Sequence, residues 1–333
     1  VRGLSGDWAV YHPRDGRNDA LQSARIELSA ASRQWELAAT LRSDILIHGS
    51  RGAFDLVQAY KQRSRPADGS AFQVDAQERG LVWAGLRGAR SWAFGADAGL
   101  PTWQLTAALS VLTVRRVQQV DVQGEARYAD ATGYDFNAQT LRVDNRQDFG
   151  GWGDARATGS GVTTDLGLLW QPNDRAFVNL SVVDLASRVT VNQVPTEAST
   201  LSSAVFGVDA RGYLDYKPLV QGRYSASDLR PQLSRKWSLA AGWRLDSSSA
   251  GGIGDGAVLG ARWEHVGGLD LPALWLTWPV RPGWTLQLDA ETRFRSLGIG
   301  LATRHASLLL RSRSLVVGES SALGWQASLH WPF

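Results

Sequence analysis

The chain has 333 residues, of which 44% are hydrophobic and 20% charged, with a formal charge of +3 and a pI near 9.4. On these averages it reads as one large or two medium globular domains, and no segment approaches the ~18 apolar residues that a spanning helix needs. Cysteine is absent, which excludes a disulfide-stapled scaffold and any thiolate metal site. Methionine is absent too, and a removed signal peptide is the simplest expectation for the missing initiator, a trimmed N-terminus the alternative. Nearly all basic residues are arginine, since lysine occurs only at Lys61, Lys217 and Lys236. They alternate with acids and form no basic cluster, which argues against nucleic acid as a partner. The guanidinium fork does match the phosphates of anionic lipid headgroups.

Residues 1–20 alternate poorly and read as an N-terminal arm, a small plug or a first strand. From residue 21 to 333, period-2 alternation recurs without a change of composition, so one domain is expected. Residues 120–128, 237–245, 257–264 and 284–291 each alternate apolar or small residues with polar ones. Residues 171–174 and 280–283, each containing Pro, mark tight turns. Residues 145–160, 185–203 and 314–322 read as long loops, and 246–256 as a Gly/Ser-rich connection.

The 15 tryptophans fall largely at strand ends. Trp237, Trp263, Trp278, Trp284, Trp325 and Trp331, with Phe333, are the expected membrane-interface aromatics, because an indole is apolar in body and polar at its N–H. In a lipid-embedded barrel the polar positions face a lumen. The inward charges are then Asp121, Glu125, Arg127, Asp165, Arg244, Arg262, Glu264, Asp289, Glu291, Arg293, Arg311 and Arg313. Their signs cancel, so the basic pI does not license anion selectivity. Charges in a lumen must be paired or wetted.

Residues 323–333, LGWQASLHWPF, place Trp325, Ala327, Leu329, Trp331 and Phe333 on one face of a strand. This resembles the closing strand and sorting signal of Gram-negative outer-membrane β-barrels. The resemblance implies an all-β transmembrane antiparallel up-and-down barrel in that membrane. Its surroundings would be outer-membrane lipid and lipopolysaccharide, and the barrel-assembly machinery would engage its C-terminal strand. At ~9–11 residues per strand plus connections, 14–18 strands fit, with 16 as the central expectation. Residues 160–185, with DLGLLW, a tight turn and LSVVDL, resemble a hairpin of the long-chain fatty-acid transporter superfamily. That likeness implies about fourteen strands and hydrophobic cargo passing through a lateral opening.

No metal or cofactor is expected. The five histidines, His12, His48, His265, His305 and His330, show no metal-ligand helix spacing. His305 and Ser307 share a face, the pattern of a base beside a nucleophile, but that face points to the lumen. Residues 149–154, FGGWGD, lack the following helix that a phosphate cradle needs. An enzyme is not expected. The expected function is a channel or transport pore for small solutes. The alternatives are a scaffold barrel with a plugged lumen, its extracellular or periplasmic loops meeting protein partners in a secretion or assembly complex, and the lateral-opening transporter.

Overall fold

The computed structural model describes residues 13–95, 102–147, 157–204, 206–208, 214–216, 219–245, 256–313 and 323–332. The elements in chain order begin with β1 (Arg17–Ala31), β2 (Trp35–Ser50), α1 (Arg51–Gln62), β3 (Ala71–Phe94) and β4 (Thr102–Ala129). There follow β5 (Gly133–Asp144), β6 (Gly159–Gln171), β7 (Ala176–Ser202), β8 (Phe206–Val208), β9 (Leu214–Tyr216) and β10 (Val220–Leu229). The rest are β11 (Lys236–Arg244), β12 (Val258–Val266), β13 (Leu269–Arg281), β14 (Trp284–Glu291), β15 (Ser296–Thr303), β16 (Ala306–Ser312) and β17 (Leu323–Pro332).

The strands close into a barrel of thirteen positions, not sixteen. Two positions are shared by two strands each. β5 and β6 lie end to end between β4 and β7, interrupted at residues 145–158, and β10 and β11 lie end to end on the other side of β7. β8 and β9 form a separate small hairpin. The count differs from the expectation because several strands are far longer than a membrane crossing requires. β3 has 24 residues, β4 28 and β7 27, while β14, β15 and β16 have 8, 8 and 7.

An up-and-down barrel with an odd number of positions must have one parallel seam, and it lies between β1 and β17, from Gln22↔Leu323 to Ala31↔Pro332. The other barrel neighbours are antiparallel, so the wholly antiparallel pairing expected from sequence is corrected at this seam. Residues 185–203 are also not a loop. They continue β7 as paired strand, because Thr, Val and Ser alternation there is pleated-sheet chemistry as much as loop chemistry.

Because strand lengths differ, one side of the barrel is tall. The lower rim carries the short turns at residues 32–34, 172–175, 282–283 and 304–305 and the end of β17. Gly283 supplies the left-handed backbone (φ 76°) that the two-residue β13–β14 turn requires. Above the upper rim, β3, β4, β5, β7 and β10 continue as a five-stranded wall. The part of β4 beyond Arg116 alone adds roughly 40 Å along the strand at ~3.3 Å per residue. A bulge in β4, where Arg115 is skipped between Val114 and Arg116, separates barrel from wall.

α1 is the one helix among the described residues, and the alternation reading did not foresee it. Its Ser50 cap accepts from the Ala53 amide, and Arg63 closes it in a left-handed conformation. Phe54 and Val57 pack on Ala20, Ile45 and Ile47 of the outer face of β1 and β2. Gly49 is required there, because a Cβ would lie 2.8 Å from the Phe54 ring.

Candidate functional site: the barrel lumen

Alternation puts one set of residues inside the barrel, and the interior is ordered in three levels. The lowest level is aromatic and small. Trp275 and Phe177 stand 6.0 Å apart between centroids and lie over Gly242 and Gly260 of the neighbouring strands. A Cβ on Gly260 would sit 2.3 Å from the Trp275 ring, so the glycine makes room for the indole. On the β1–β17 seam, Ser29 Oγ and His330 Nδ1 are 2.9 Å apart, and between β16 and β17 Ser307 Oγ meets Ser328 Oγ at 2.7 Å.

The middle level holds two ion clusters. In the first, Arg42 lies between Asp44 and Asp184, at 2.5 and 2.7 Å, and Lys236 Nζ reaches Asp44 at 2.8 Å. These pairs join β2 to β7 and to β11 across the barrel. Asp184 is placed by a bulge in β7, where it takes a left-handed φ of 58°, and its carboxylate also accepts from Thr163 Oγ1. A chain of bonds continues outward, from the Asp184 amide to Asp165 and through Arg87 to Glu36. In the second cluster, Asp289, whose side chain is wholly buried, is held by Arg262 and Arg311 at 2.8 and 2.7 Å, and Glu264 flanks Arg262 at 2.9 Å. Around the first cluster the interior is solid: Ala38, Thr40, Ala89, Ala108, Ser110 and Thr163 are all buried. Small side chains there let the opposite walls approach.

The upper level is a cap. The β12–β13 and β14–β15 turns bend inward, and Val266, Leu269, Leu271 and Phe294 pack against Leu21 and Leu46. Polar contacts fix it. Asp19 receives Arg17, His48 and Arg293, and Arg17 also donates to the Gly267 carbonyl at 3.2 Å. Asp19 and His48 stand above the apolar band of the outer surface. Burial raises Asp19, but hydrogen bonds from Arg17, His48 and Arg293 outweigh it and hold the carboxyl below its ordinary range. Burial and the nearby Arg17 and Arg79 charges push His48 below its ordinary value, against the opposing pull of Asp19. Between cap and clusters lies a chamber of about 340 Å³.

The outer surface has the opposite character. Leu37, Leu86, Val111, Leu274, Ile299 and Leu310 are among a continuous series of exposed apolar side chains around the barrel, with Leu297 reaching 71% exposure. Tryptophans edge this band on both sides. Trp237, Trp263 and Trp325 stand toward the upper rim, and Trp35, Trp103, Trp243, Trp278, Trp284 and Trp331 toward the lower. Arg90 lies over Trp35 and Trp92, and Arg281 over Trp284 at 4.2 Å, on the lower rim.

Five of the twelve charges expected in the lumen, Asp165, Arg262, Glu264, Asp289 and Arg311, belong to the middle level. Glu291 turns its carboxylate onto the Arg293 and Phe294 amides and Ser296. Arg293 serves the cap, Arg244 is exposed at the lower end of β11, and Arg313 follows β16 at the upper rim. Asp121, Glu125 and Arg127 sit on the wall above the barrel, where Asp121 pairs with Arg79 and Arg127 with Glu125. Phe333 lies outside the described residues, as do 1–12, 148–156, 246–255 and 314–322. His305 lies in the β15–β16 turn beside Trp331, and its face-mate Ser307 bonds to Ser328 instead. The reading missed Arg42, Asp44, Asp184 and Lys236. Their only sequence signal was a charge on the polar phase of a strand.

Among the described residues no group of His, Cys, Asp and Glu is arranged to hold a metal ion. Comparison with known protein families, curated proteins and solved structures found no match.

Proposed function

We propose that this chain is an integral β-barrel of the Gram-negative outer membrane that passes small solutes through a gated lumen rather than a standing aqueous pore. The observation that carries the membrane reading is the exposed apolar band bounded by two tryptophan rims. A soluble protein rarely exposes a contiguous apolar patch beyond a few hundred Å², and interfacial indoles are the expected border of such a band in lipid. Ion clusters held inside beside an apolar core that includes Trp83, Leu112 and Val191, with leucines outside, support the same conclusion.

The lumen supports the gated reading. Among the described residues, pairs that cross the barrel, Arg42–Asp184 and Lys236–Asp44, and the inward cap leave a chamber instead of a continuous channel. Passage therefore requires the cap to lift. The scaffold reading is favoured by one further observation, the wall formed by β3, β4, β5, β7 and β10, which offers a paired polar surface well above the apolar band. The lateral-opening transporter of hydrophobic molecules is the third reading, and it has no support from comparison with known proteins.

Purified protein in a planar bilayer tests the first reading against the second. Wild type is expected to be almost silent. Arg17→Ala with Arg293→Ala, which removes two of the polar ties of the cap, is expected to give discrete open steps. A folded double variant that stays silent refutes gated passage and leaves the scaffold reading.

A further inference from the structure

The chamber beneath the cap has a chemistry of its own. Its walls present five cationic side chains, Arg25, Arg42, Lys236, Arg262 and Arg311, against two carboxylates, Glu264 and Glu291. The acids that balance these cations, Glu27, Asp44, Asp184 and Asp289, are not part of the chamber surface, so the void meets positive charge first. Arg262 and Arg311 are held through their Nε atoms, 2.9 and 2.7 Å from oxygens of Glu264 and Asp289, and Arg25 is paired with Glu27.

A guanidinium carries five N–H donors, more than one carboxylate takes up, so a cavity lined mostly by such groups is matched by an oxyanion through charge-assisted bonds. The buried carboxylates already hold the guanidinium groups in place, so a ligand orders few side chains on arrival. The ceiling is different: Leu21, Val266, Leu271 and Phe294 make it apolar. At about 340 Å³ the chamber is at the small end of ligand sites.

We propose that the chamber binds a compact organic oxyanion. Its carboxylate or phosphate group lies among Arg25, Arg262 and Arg311, and a ring or short aliphatic body lies beneath Phe294 and Leu271. The proposal rests on the lumenal geometry and holds in detergent as in lipid, so its failure is separable from failure of the membrane and gating readings.

The test is calorimetric titration of the detergent-solubilised full chain, shown to be folded by heat-modifiable migration. The probes are phenyl phosphate, benzoate, inorganic phosphate and benzyl alcohol. Phenyl phosphate or benzoate is expected to bind at one per chain, the tighter of the two naming the headgroup, while benzyl alcohol does not bind. Arg25→Gln is expected to weaken the organic anions about tenfold, the loss of one charge-assisted contact. Phe294→Ala should weaken phenyl phosphate and leave inorganic phosphate unchanged. Gln326→Glu, a near-isosteric change that adds a negative charge to the wall, should abolish anion binding and secures the test if Arg25→Gln fails to fold. Folded wild type that binds none of the anions overturns the proposal. So does anion affinity that is equal in wild type, Arg25→Gln and Gln326→Glu, or that falls as much with Arg90→Gln on the outer rim.

Discussion

Ile299→Arg puts a cation at the middle of the apolar band. Ile299 is 58% exposed, flanked along β15 by Leu297 and Leu301 and across the sheet by Leu288 and Leu310. No acid stands on that face nearby to receive a guanidinium. The lower end of β15, at Thr303, is four residues away, which is ~13 Å along the strand and about 10 Å in height at a tilt near 40°. An arginine side chain spans only part of that distance, so snorkelling relieves the charge incompletely. In a bilayer the substitution is expected to cost ~2–4 kcal/mol. On a soluble barrel the same change falls on a water-exposed surface and costs within about 0.5 kcal/mol. The assay is urea unfolding of the protein refolded into liposomes, with midpoint and slope fitted together. Gln287→Arg, on the lumen face of β14, is the matched control. A loss at Ile299 no greater than at Gln287, or wild-type protein that stays monodisperse in buffer without detergent, would refute the lipid-facing assignment.

Three further outcomes test the interior. Asp289→Ala leaves Arg262 and Arg311 buried without their shared carboxylate and is expected to cost about 3–5 kcal/mol. Restoring neutrality with Arg311→Met, which leaves Arg262 paired with Glu264, should recover most of that loss, and an unfolding midpoint unmoved by Asp289→Ala would disprove the cluster's role. The cap should weaken on acidification, because Asp19 and His48 both bind protons more readily unfolded than folded. The His48 contribution is complete above its unfolded value of about 6.5 and is lost as pH falls below it, and the Asp19 contribution fades below about 3.8. Denaturation midpoints should therefore drop between pH 7.5 and 5.5, and His48→Gln should flatten that drop; an unchanged slope in the variant rejects the assignment. Gly260→Ala drives a methyl into the Trp275 ring and is expected to cost about 1–3 kcal/mol, read as a lower unfolding midpoint; no change would mean the indole moves freely.

What was legible in the sequence was whatever a strand expresses locally. Period-2 alternation is set by backbone geometry, so the strands at residues 120–128, 237–245, 257–264 and 284–291 and the turns at 171–174 and 280–283 were readable without any fold. The same phase divides apolar from polar positions, so Arg262, Glu264, Asp289 and Arg311 fall on the polar face of their strands before any partner is known. α1 was hidden because its apolar contacts are few, Phe54 and Val57 meeting a surface that only closure creates. The strand count was hidden because β4 and β7 each run past two partners, a length that alternation cannot subdivide.

The tertiary structure alone decided which charges meet. Arg42 and Asp184 are 142 residues apart in the chain, and Lys236 and Asp44 are 192 apart. No local rule pairs such residues; closure of the barrel does, and small residues such as Ala38 and Ala108 set how near the walls come. Closure also fixed the parallel seam, since thirteen alternating positions cannot meet antiparallel. The sequence by itself determined that each strand has one apolar and one polar face. The fold decided that the polar faces would lock together around a small cationic chamber rather than line an open pore, because ion pairing and inward turns are properties of residues brought together from distant strands.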